Sequence, residues 1–230
     1  MVYKNRRLTY KRKPRKYTGK KAYKPYKAQP LRIGIPYSKL FKLRYVTNFV
    51  LDGSAGIAAD HVFRINDLYD PDFTGVGHQP RYFDQIFGNT LGSGMYKHFV
   101  VLGTKATIMM ANSDVLYSQR VGATVRDSST ALTSANDCME AGNSTTRLLG
   151  QRDGKGSTTM TIKWSAKKWF GKPNVTTERD LQGSNVGSPA EQAYLHVWTE
   201  DPGNDPAPVQ CYITLDYIVL ARSPVVTAQS

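Results

Sequence analysis

Cysteine, long apolar runs and N-terminal acidic residues are all scarce in this sequence. Its 230 residues include two cysteines, Cys138 and Cys211, whose spacing fits neither a disulfide framework nor a thiolate zinc site. No run approaches the ~20 apolar residues that cross a bilayer, and the charged N-terminus has no apolar signal-peptide core. We therefore expect a soluble, non-secreted protein of a reducing compartment, with no membrane partner.

Acidic residues are absent before Asp52, and this absence divides the chain by charge. Residues 1–44 hold 16 of the 31 lysines and arginines. The remainder holds 15 basic and 18 acidic residues, a net charge of −3, although the whole chain carries +13. Because a segment with so much positive charge repels itself, its partner is predicted to be a polyanion.

Aliphatic side chains are also scarce before Leu31, so residues 1–38 cannot bury a core and are predicted to be an arm that is disordered when alone. Six tyrosines are interleaved with its lysines and arginines. The cations can displace counterions from phosphates, and an aromatic ring can stack on any unpaired base. This composition predicts contact with single-stranded nucleic acid. The predicted contact residues of the arm are Lys4, Arg6, Arg7, Tyr10, Lys11, Arg12, Lys13, Arg15, Lys16, Tyr17, Lys20, Lys21, Lys24 and Lys27.

The densest basic stretch of the arm, residues 11–16, is typical of a nuclear-import signal, so nuclear import receptors are additional predicted partners. A solubilising tail is the plainer alternative. Import and nucleic-acid binding do not exclude one another. The residues assigned to nuclear localisation are Arg6, Arg7, Lys11, Arg12, Lys13, Arg15 and Lys16.

Residues 39–222 form the body, in which apolar and polar residues alternate in short runs separated by turn-forming residues, a pattern that predicts strands. In the last run, 210–221, the apolar residues share one face; in the first, 41–51, Lys42 and Arg44 share the polar face. These two cations are added to the predicted nucleic-acid contacts. Further strands are predicted at 60–65, 98–110, 115–121, 159–164 and 193–199.

Helical periodicity is weak, and short helices are predicted only around 81–87 and 129–140. About eight strands joined by long loops, among them 142–157, indicate an all-β sandwich or jelly roll. No helices are predicted that could cover a parallel sheet, and no internal repeat is visible, which argues against doubly wound, propeller and solenoid folds. Residues 223–230 are left as a C-terminal tail.

The common catalytic motifs are absent from the sequence or incomplete in it. GxSxG, HExxH and CxxC do not occur. Segment 150–157 approximates a phosphate loop, but its first glycine is one residue too close and Gly156 replaces the magnesium-binding hydroxyl, so we interpret it as a flexible loop. His196 shares a strand face with Tyr194 and Trp198 and is interpreted as a packed or interface residue. We predict no catalytic residue, no metal and no cofactor.

The segment 66–85, NDLYDPDFTGVGHQPRYFDQ, has the composition of a metal loop or an active site. It matches four positions of an EF-hand calcium loop, but Arg81 stands where the bidentate glutamate belongs and would repel the ion. Asn and Asp side chains cap nearby amides and glycines permit positive φ, so the composition also suits a long, ordered connection between strands. We predict a structural loop, leaving a contact between subunits open. Its assigned residues are Asn66, Asp67, Asp70, Asp72, Gly75, Gly77 and His78.

The order of several motifs carries a family resemblance. A basic, tyrosine-rich arm precedes FKLRY at 41–45, FRINDLYDPD at 63–72, TGVGHQP at 74–80 and YKHFVVLGTK at 96–105. This order resembles the capsid proteins of small circular single-stranded DNA viruses, the circovirus-like group. The specific part of the likeness covers residues 40–105.

The resemblance implies an eight-stranded viral jelly roll of two antiparallel sheets and a closed T=1 icosahedral shell of sixty copies. It implies that the arm faces inward on circular single-stranded DNA and directs the protein to the host nucleus, where the virion assembles. It also implies a host attachment factor, which no motif identifies. One departure concerns the arm: family arms are arginine-dominated, whereas residues 1–27 hold eight lysines and four arginines. Lysine is a point charge without a planar stacking surface, which favours charge neutralisation over defined base contacts.

Two other functions stay open at this point. A cellular nucleic-acid-binding protein of ribosomal or chromatin type would also carry a basic tail and would be a monomer or small oligomer. A metal-dependent hydrolase on a double-stranded β-helix would use His61, Asp67, Asp70 or His78 as ligands. The leading hypothesis is a coat protein that packages single-stranded DNA without sequence preference.

Overall fold

The protein is described by a computed structural model that covers residues 34–53, 57–90, 93–201 and 207–225. The strands are β1 (Ser38–Leu51), β2 (Ala59–Arg64), β3 (Tyr96–Asn112), β4 (Gln119–Arg126), β5 (Ser144–Leu149), β6 (Ser157–Ser165), β7 (Gln182–Ser184), β8 (Tyr194–Glu200) and β9 (Val209–Pro224). The helices are α1 (Phe83–Phe87), α2 (Ala135–Glu140) and α3 (Ala166–Trp169). Within these residues, no helix is long and apolar enough to cross a membrane.

The first and last strands of the chain, β1 and β9, follow the predicted alternation of apolar and polar residues. They pair antiparallel from Ser38 opposite Arg222 to Leu51 opposite Val209. Every odd-numbered residue of β9 between 209 and 221 is fully buried. On β1 the even-numbered residues are exposed. The period-two pattern in the sequence thus gives one dry and one wet face, as expected for a strand covered on one side.

The strands form two antiparallel sheets with the order β1-β9-β3-β6, in which β7 also pairs with β3, and β2-β8-β4-β5. Leaving the three-residue β7 aside, the first strand pairs with the last, the second with the second-last, and so on to β4 with β5. This is the pairing of one long hairpin rolled into two sheets, which defines the jelly roll. The predicted all-β, eight-stranded jelly roll is confirmed, with β7 as a short addition.

The main core lies between the two sheets and is rich in aromatic residues. Fully buried rings include Tyr45, Phe63, Phe99 and Tyr217. Complete burial of one large apolar side chain contributes about 1.5–3 kcal/mol. A second, smaller cluster lies on the other face of β8, where α2 and the segment before it cover Trp198. β8 is therefore buried on both faces, and its buried polar residues His196, Thr199 and Glu200 each have a hydrogen-bonding or ionic partner.

Three predictions about elements were wrong in detail. The strand predicted at 115–121 begins only at Gln119, because Asn112 and Asp114 accept hydrogen bonds from the amides of Asp114 and Leu116 and close a turn first. The loop predicted at 142–157 contains β5 and the start of β6. The short elements β7 and α3 were not predicted, since three or four residues leave no periodic pattern.

Candidate nucleic-acid interface

Most of the predicted nucleic-acid contacts cannot be placed. The arm residues between positions 4 and 27, and the nuclear-localisation residues among them, lie outside the described residues. Lys42 and Arg44 lie inside them, on the exposed face of β1. The described chain enters β1 at Ser38, so the arm is covalently attached to the end of the strand that carries both cations.

Strand pairing extends this basic site across the sheet. Arg44 on β1 lies opposite Asp216 on β9, Asp216 lies opposite Lys105 on β3, and Lys105 lies opposite Lys163 on β6. All four side chains point to the outer face, away from the core. With neighbouring strands ~4.8 Å apart, the row spans roughly 14 Å. Lys42 lies two residues from Arg44 on the same face. We call Lys42, Arg44, Lys105 and Lys163 the basic row.

Asp216 neutralises part of the basic row. Its Oδ1 accepts a hydrogen bond from Arg44 Nε at 2.6 Å. The hydrogen bond and the charge of Asp216 raise the pKa of Arg44. Among the residues that the structure describes, Lys42, Lys105 and Lys163 form no salt bridge. The face therefore presents three lysine charges that can meet an anion without first losing a carboxylate partner.

Sequence reasoning missed Lys105 and Lys163. Each follows the alternation of its own strand, between buried neighbours such as Ala106 and Ile162, so its outward direction could have been deduced. Their position beside Lys42 and Arg44 could not, because it requires the strand order. The site is therefore larger than the predicted pair on β1.

At the start of the loop 66–85, the side chains of Asn66 and Asp67 form hydrogen bonds with backbone groups. Asn66 donates through Nδ2 to Glu191 O and accepts from Ala193 N, both at 2.9 Å. Asp67 Oδ1 accepts from Tyr69 N at 2.9 Å and closes an Asx turn. Burial raises the pKa of Asp67 to about 6. Asn66 thus attaches the start of the loop to the segment that leads into β8, and Asp67 orders the loop itself.

The middle of the loop is held by contacts of its two aspartates, Asp70 and Asp72. Asp70 forms a salt bridge with Arg64, the last residue of β2. Asp72 accepts from the amide and hydroxyl of Thr74 at 3.0 and 2.8 Å, and His61 Nε2 lies 3.1 Å from its carboxylate. Burial alone would raise the pKa of Asp72, but these hydrogen bonds lower it. All of these partners belong to the same chain.

The second half of the loop covers the free edge of β1. Arg81 N donates to Arg44 O at 3.3 Å, and His78 Nε2 lies 3.0 Å from Val46 O. The His78 ring also lies against Tyr45, with centroids 4.8 Å apart. Gly77 passes so close that a Cβ there would lie 2.7 Å from the Tyr45 hydroxyl. Covering an edge strand in this way prevents pairing with another sheet.

The four residues proposed as hydrolase ligands do not converge. His61 contacts Asp72, Asp70 pairs with Arg64, and His78 contacts main-chain carbonyls. In the described ranges, no three His, Cys, Asp or Glu side chains are grouped as a metal site would require. The ligand set of the hydrolase alternative therefore does not form a site here.

His196 and the two cysteines, which we considered from the sequence as possible functional residues, are all buried. His196 is fully buried, with Nδ1 2.7 Å from Asp60 Oδ2 and Nε2 2.8 Å from Ser128 O, so it is a packed residue. Cys138 and Cys211 are buried free thiols. Burial raises the pKa of each thiol to about 12, which keeps both protonated and unreactive at neutral pH.

No protein-family model and no curated protein matches this sequence. Several solved virus structures are similar in fold. Turnip yellow mosaic virus is 13% identical with a TM-score of 0.47, over 84% of this chain and 98% of that one. The 60-mer BFDV capsid protein is 10% identical with a TM-score of 0.47, over 85% and 100%. Tobacco necrosis virus is 10% identical with a TM-score of 0.48, over 83% and 84%. Because these TM-scores are below 0.5, the assignment of the fold rests on the strand order and not on these similarities.

Proposed function

We propose that this chain is a structural virion coat protein that assembles into a closed icosahedral shell and packages circular single-stranded DNA without sequence preference. One combination of observations supports it. A jelly roll, a fold that also forms viral capsids, continues from a segment that carries 16 basic residues and no acidic residue. The rest of the chain has a net charge of −3.

Charge balance links shell formation to packaging. If sixty copies assemble, as the circovirus-like resemblance implies, roughly a thousand positive charges from the N-terminal segments enter one shell. A polyanion must neutralise these charges, because their mutual repulsion would otherwise prevent a stable shell. Lysines dominate the arm, so the contact is chiefly with phosphates, and any sequence can be packaged.

Nuclear targeting is part of the same proposal. The basic stretch 11–16, with Arg6 and Arg7, would bind nuclear import receptors before assembly in the host nucleus. Once the arm holds DNA, the same charges are no longer available to those receptors. The proposed loop role is structural: 66–85 keeps the β1 edge covered while subunits approach one another.

Expression of the full chain tests the proposal. We expect uniform small particles in electron micrographs and nucleic acid inside them that resists nuclease. A basic nucleic-acid-binding protein of the cell would instead remain a monomer or small oligomer whose nucleic acid stays nuclease-sensitive. That outcome would refute the coat function.

Salt dependence tests the electrostatic part separately. A peptide of the arm that makes about ten phosphate contacts should bind single strands with a slope of log K against log salt near −7. A slope near zero would show that the arm does not bind through its charges.

A further inference from the structure

The outer face of the β1-β9-β3-β6 sheet has an apolar end as well as the basic row. Tyr212 on β9 lies between Asn48 on β1 and Met109 on β3. Tyr212 is 53% exposed and Met109 54% exposed. Val46 and Val50, on either side of Asn48, are also about half exposed. These four apolar side chains form one patch on a surface that is made entirely of strands.

The patch and the basic row belong to one surface. Lys105 and Met109 are four positions apart on β3, and Tyr212 and Asp216 are four positions apart on β9. At ~3.3 Å per residue, the two ends lie roughly 13 Å apart along the strands. The residues between them, such as Thr107 and Thr214, are small and polar, so no bulky side chain separates the two ends.

The chemistry of this face selects one kind of partner. Three lysines without a carboxylate partner among the described residues attract an anion, and an exposed ring beside apolar side chains can pack against a flat apolar surface. Double-stranded nucleic acid offers phosphates but hides the faces of its bases. Single-stranded nucleic acid offers both, and binding grooves for it combine cations with aromatic rings.

We propose that this sheet face is a second binding surface for single-stranded nucleic acid, with phosphates on Lys42, Lys105 and Lys163 and a base stacked on Tyr212. The proposal rests on the proposed function, in which the arm is the first binding segment. Stacking on a tyrosine ring uses the face that all bases share, so this surface also binds without sequence preference. It would fix part of the packaged strand against a rigid sheet.

The test uses the unassembled full-length chain and a labelled oligothymidylate of about 16 nucleotides, with binding followed by fluorescence anisotropy. Tyr212→Ala should weaken binding by about 5- to 150-fold, the range for loss of one stacked base. The salt slope should not change, because no charge is removed. Tyr212→Phe keeps the ring and should bind like the wild type. Tyr117→Ala, which removes an exposed tyrosine between β3 and β4, is the matched control and should have no effect.

Two further measurements address the phosphates and the contact itself. Lys105→Gln with Lys163→Gln should make the salt slope less steep by about 1.4, because each phosphate contact on a single strand contributes about 0.7. An oligonucleotide that carries a photoreactive pyrimidine should crosslink to Tyr212, as identified by mass spectrometry. Unchanged thermal melting of each variant excludes a folding defect.

The outcomes separate this inference from the proposed function. If the wild type does not bind the oligonucleotide and forms no particles, the proposed function fails. If the wild type binds and Tyr212→Ala binds equally well, only the sheet-face inference is overturned. If Tyr212→Ala keeps its affinity but no longer forms particles, the face is a contact between copies of the chain, and the inference is again overturned.

Discussion

Asp67 is a fully buried carboxyl group that changes protonation near pH 6. Burial raises its pKa from an ordinary value of 3.8 to about 6. Because the folded state binds the proton more tightly than the unfolded state, this group favours folding fully below pH 4. That stabilisation is lost as the pH rises through 6. The free energy of unfolding should therefore fall between pH 4.5 and 7.5 by about 2 kcal/mol from this group alone.

Asp67→Asn isolates this effect, because asparagine keeps the oxygen that accepts from Tyr69 N but does not titrate. Urea unfolding of unassembled subunits at both pH values measures it. Relative to the wild type, the variant should gain about 2 kcal/mol on going from pH 4.5 to 7.5. An equal difference at the two pH values would show that Asp67 does not titrate in this range.

One buried hydrogen-bonded pair, Asp60 and His196, holds the segment between β4 and α2 against the sheet. Asp60 on β2 uses Oδ2 for two contacts: it accepts from Leu132 N in that segment and lies 2.7 Å from Nδ1 of His196 on β8. The other ring nitrogen of His196 lies 2.8 Å from Ser128 O in the same segment. Removing one partner of a buried pair leaves the other uncompensated. His196→Ala should lower the free energy of unfolding by about 1–3 kcal/mol, because Asp60 and Ser128 O each lose a buried hydrogen-bonding partner. Hydrogen exchange in 128–141 should increase first.

Asp60→Ala combined with His196→Ala is the matched comparison. The double variant should lose less stability than the sum of the two single variants, because neither side chain is then left buried without its partner. Additive losses would show that the two residues act independently.

Gly77 determines how closely the loop 66–85 lies on β1. A Cβ at this position would lie 2.7 Å from the Tyr45 hydroxyl and 2.9 Å from Asp72 Cβ. Gly77→Ala should therefore destabilise the fold by about 1–3 kcal/mol and move the loop off the β1 edge. Gly142→Ala is the control, since nothing lies within 4 Å of its added Cβ. Equal melting temperatures for the two variants would contradict the close approach.

Elements with one dry and one wet face could be predicted from the sequence, and those without could not. β9 buries every odd-numbered residue from 209 to 221, and this pattern is visible in the sequence. β5 is an edge strand in which only Leu149 is buried, so it has no periodic signal and was assigned to a loop. β7 has three residues and exists because β3 offers it a pairing edge. Local composition does not contain that information.

For the whole molecule, the sequence predicted the charge division and the fold class but only half of the basic row. The arm is visible because composition alone defines it. Lys105 and Lys163 lie 58 positions apart in sequence and meet because β3 pairs with β6. That pairing follows from the rolled hairpin as a whole, through contacts distant in sequence. A surface assembled from four strands therefore cannot be predicted until the strand order is known.

The division of charge leads to a prediction for the intact protein. Glutamine at all twelve lysines and arginines between positions 4 and 27 leaves the sheet face unchanged but removes most of the arm charge. If the arm makes about ten phosphate contacts and the three free lysines of the basic row make the remainder, the salt slope should fall from about −9 to about −2. Nuclease-protected nucleic acid recovered with the protein should fall in the same variant. A slope that stays near −9 would place the phosphate contacts on the body of the protein. A slope of zero would remove the sheet face from the binding surface, because three exposed lysines in contact with phosphates cannot bind independently of salt.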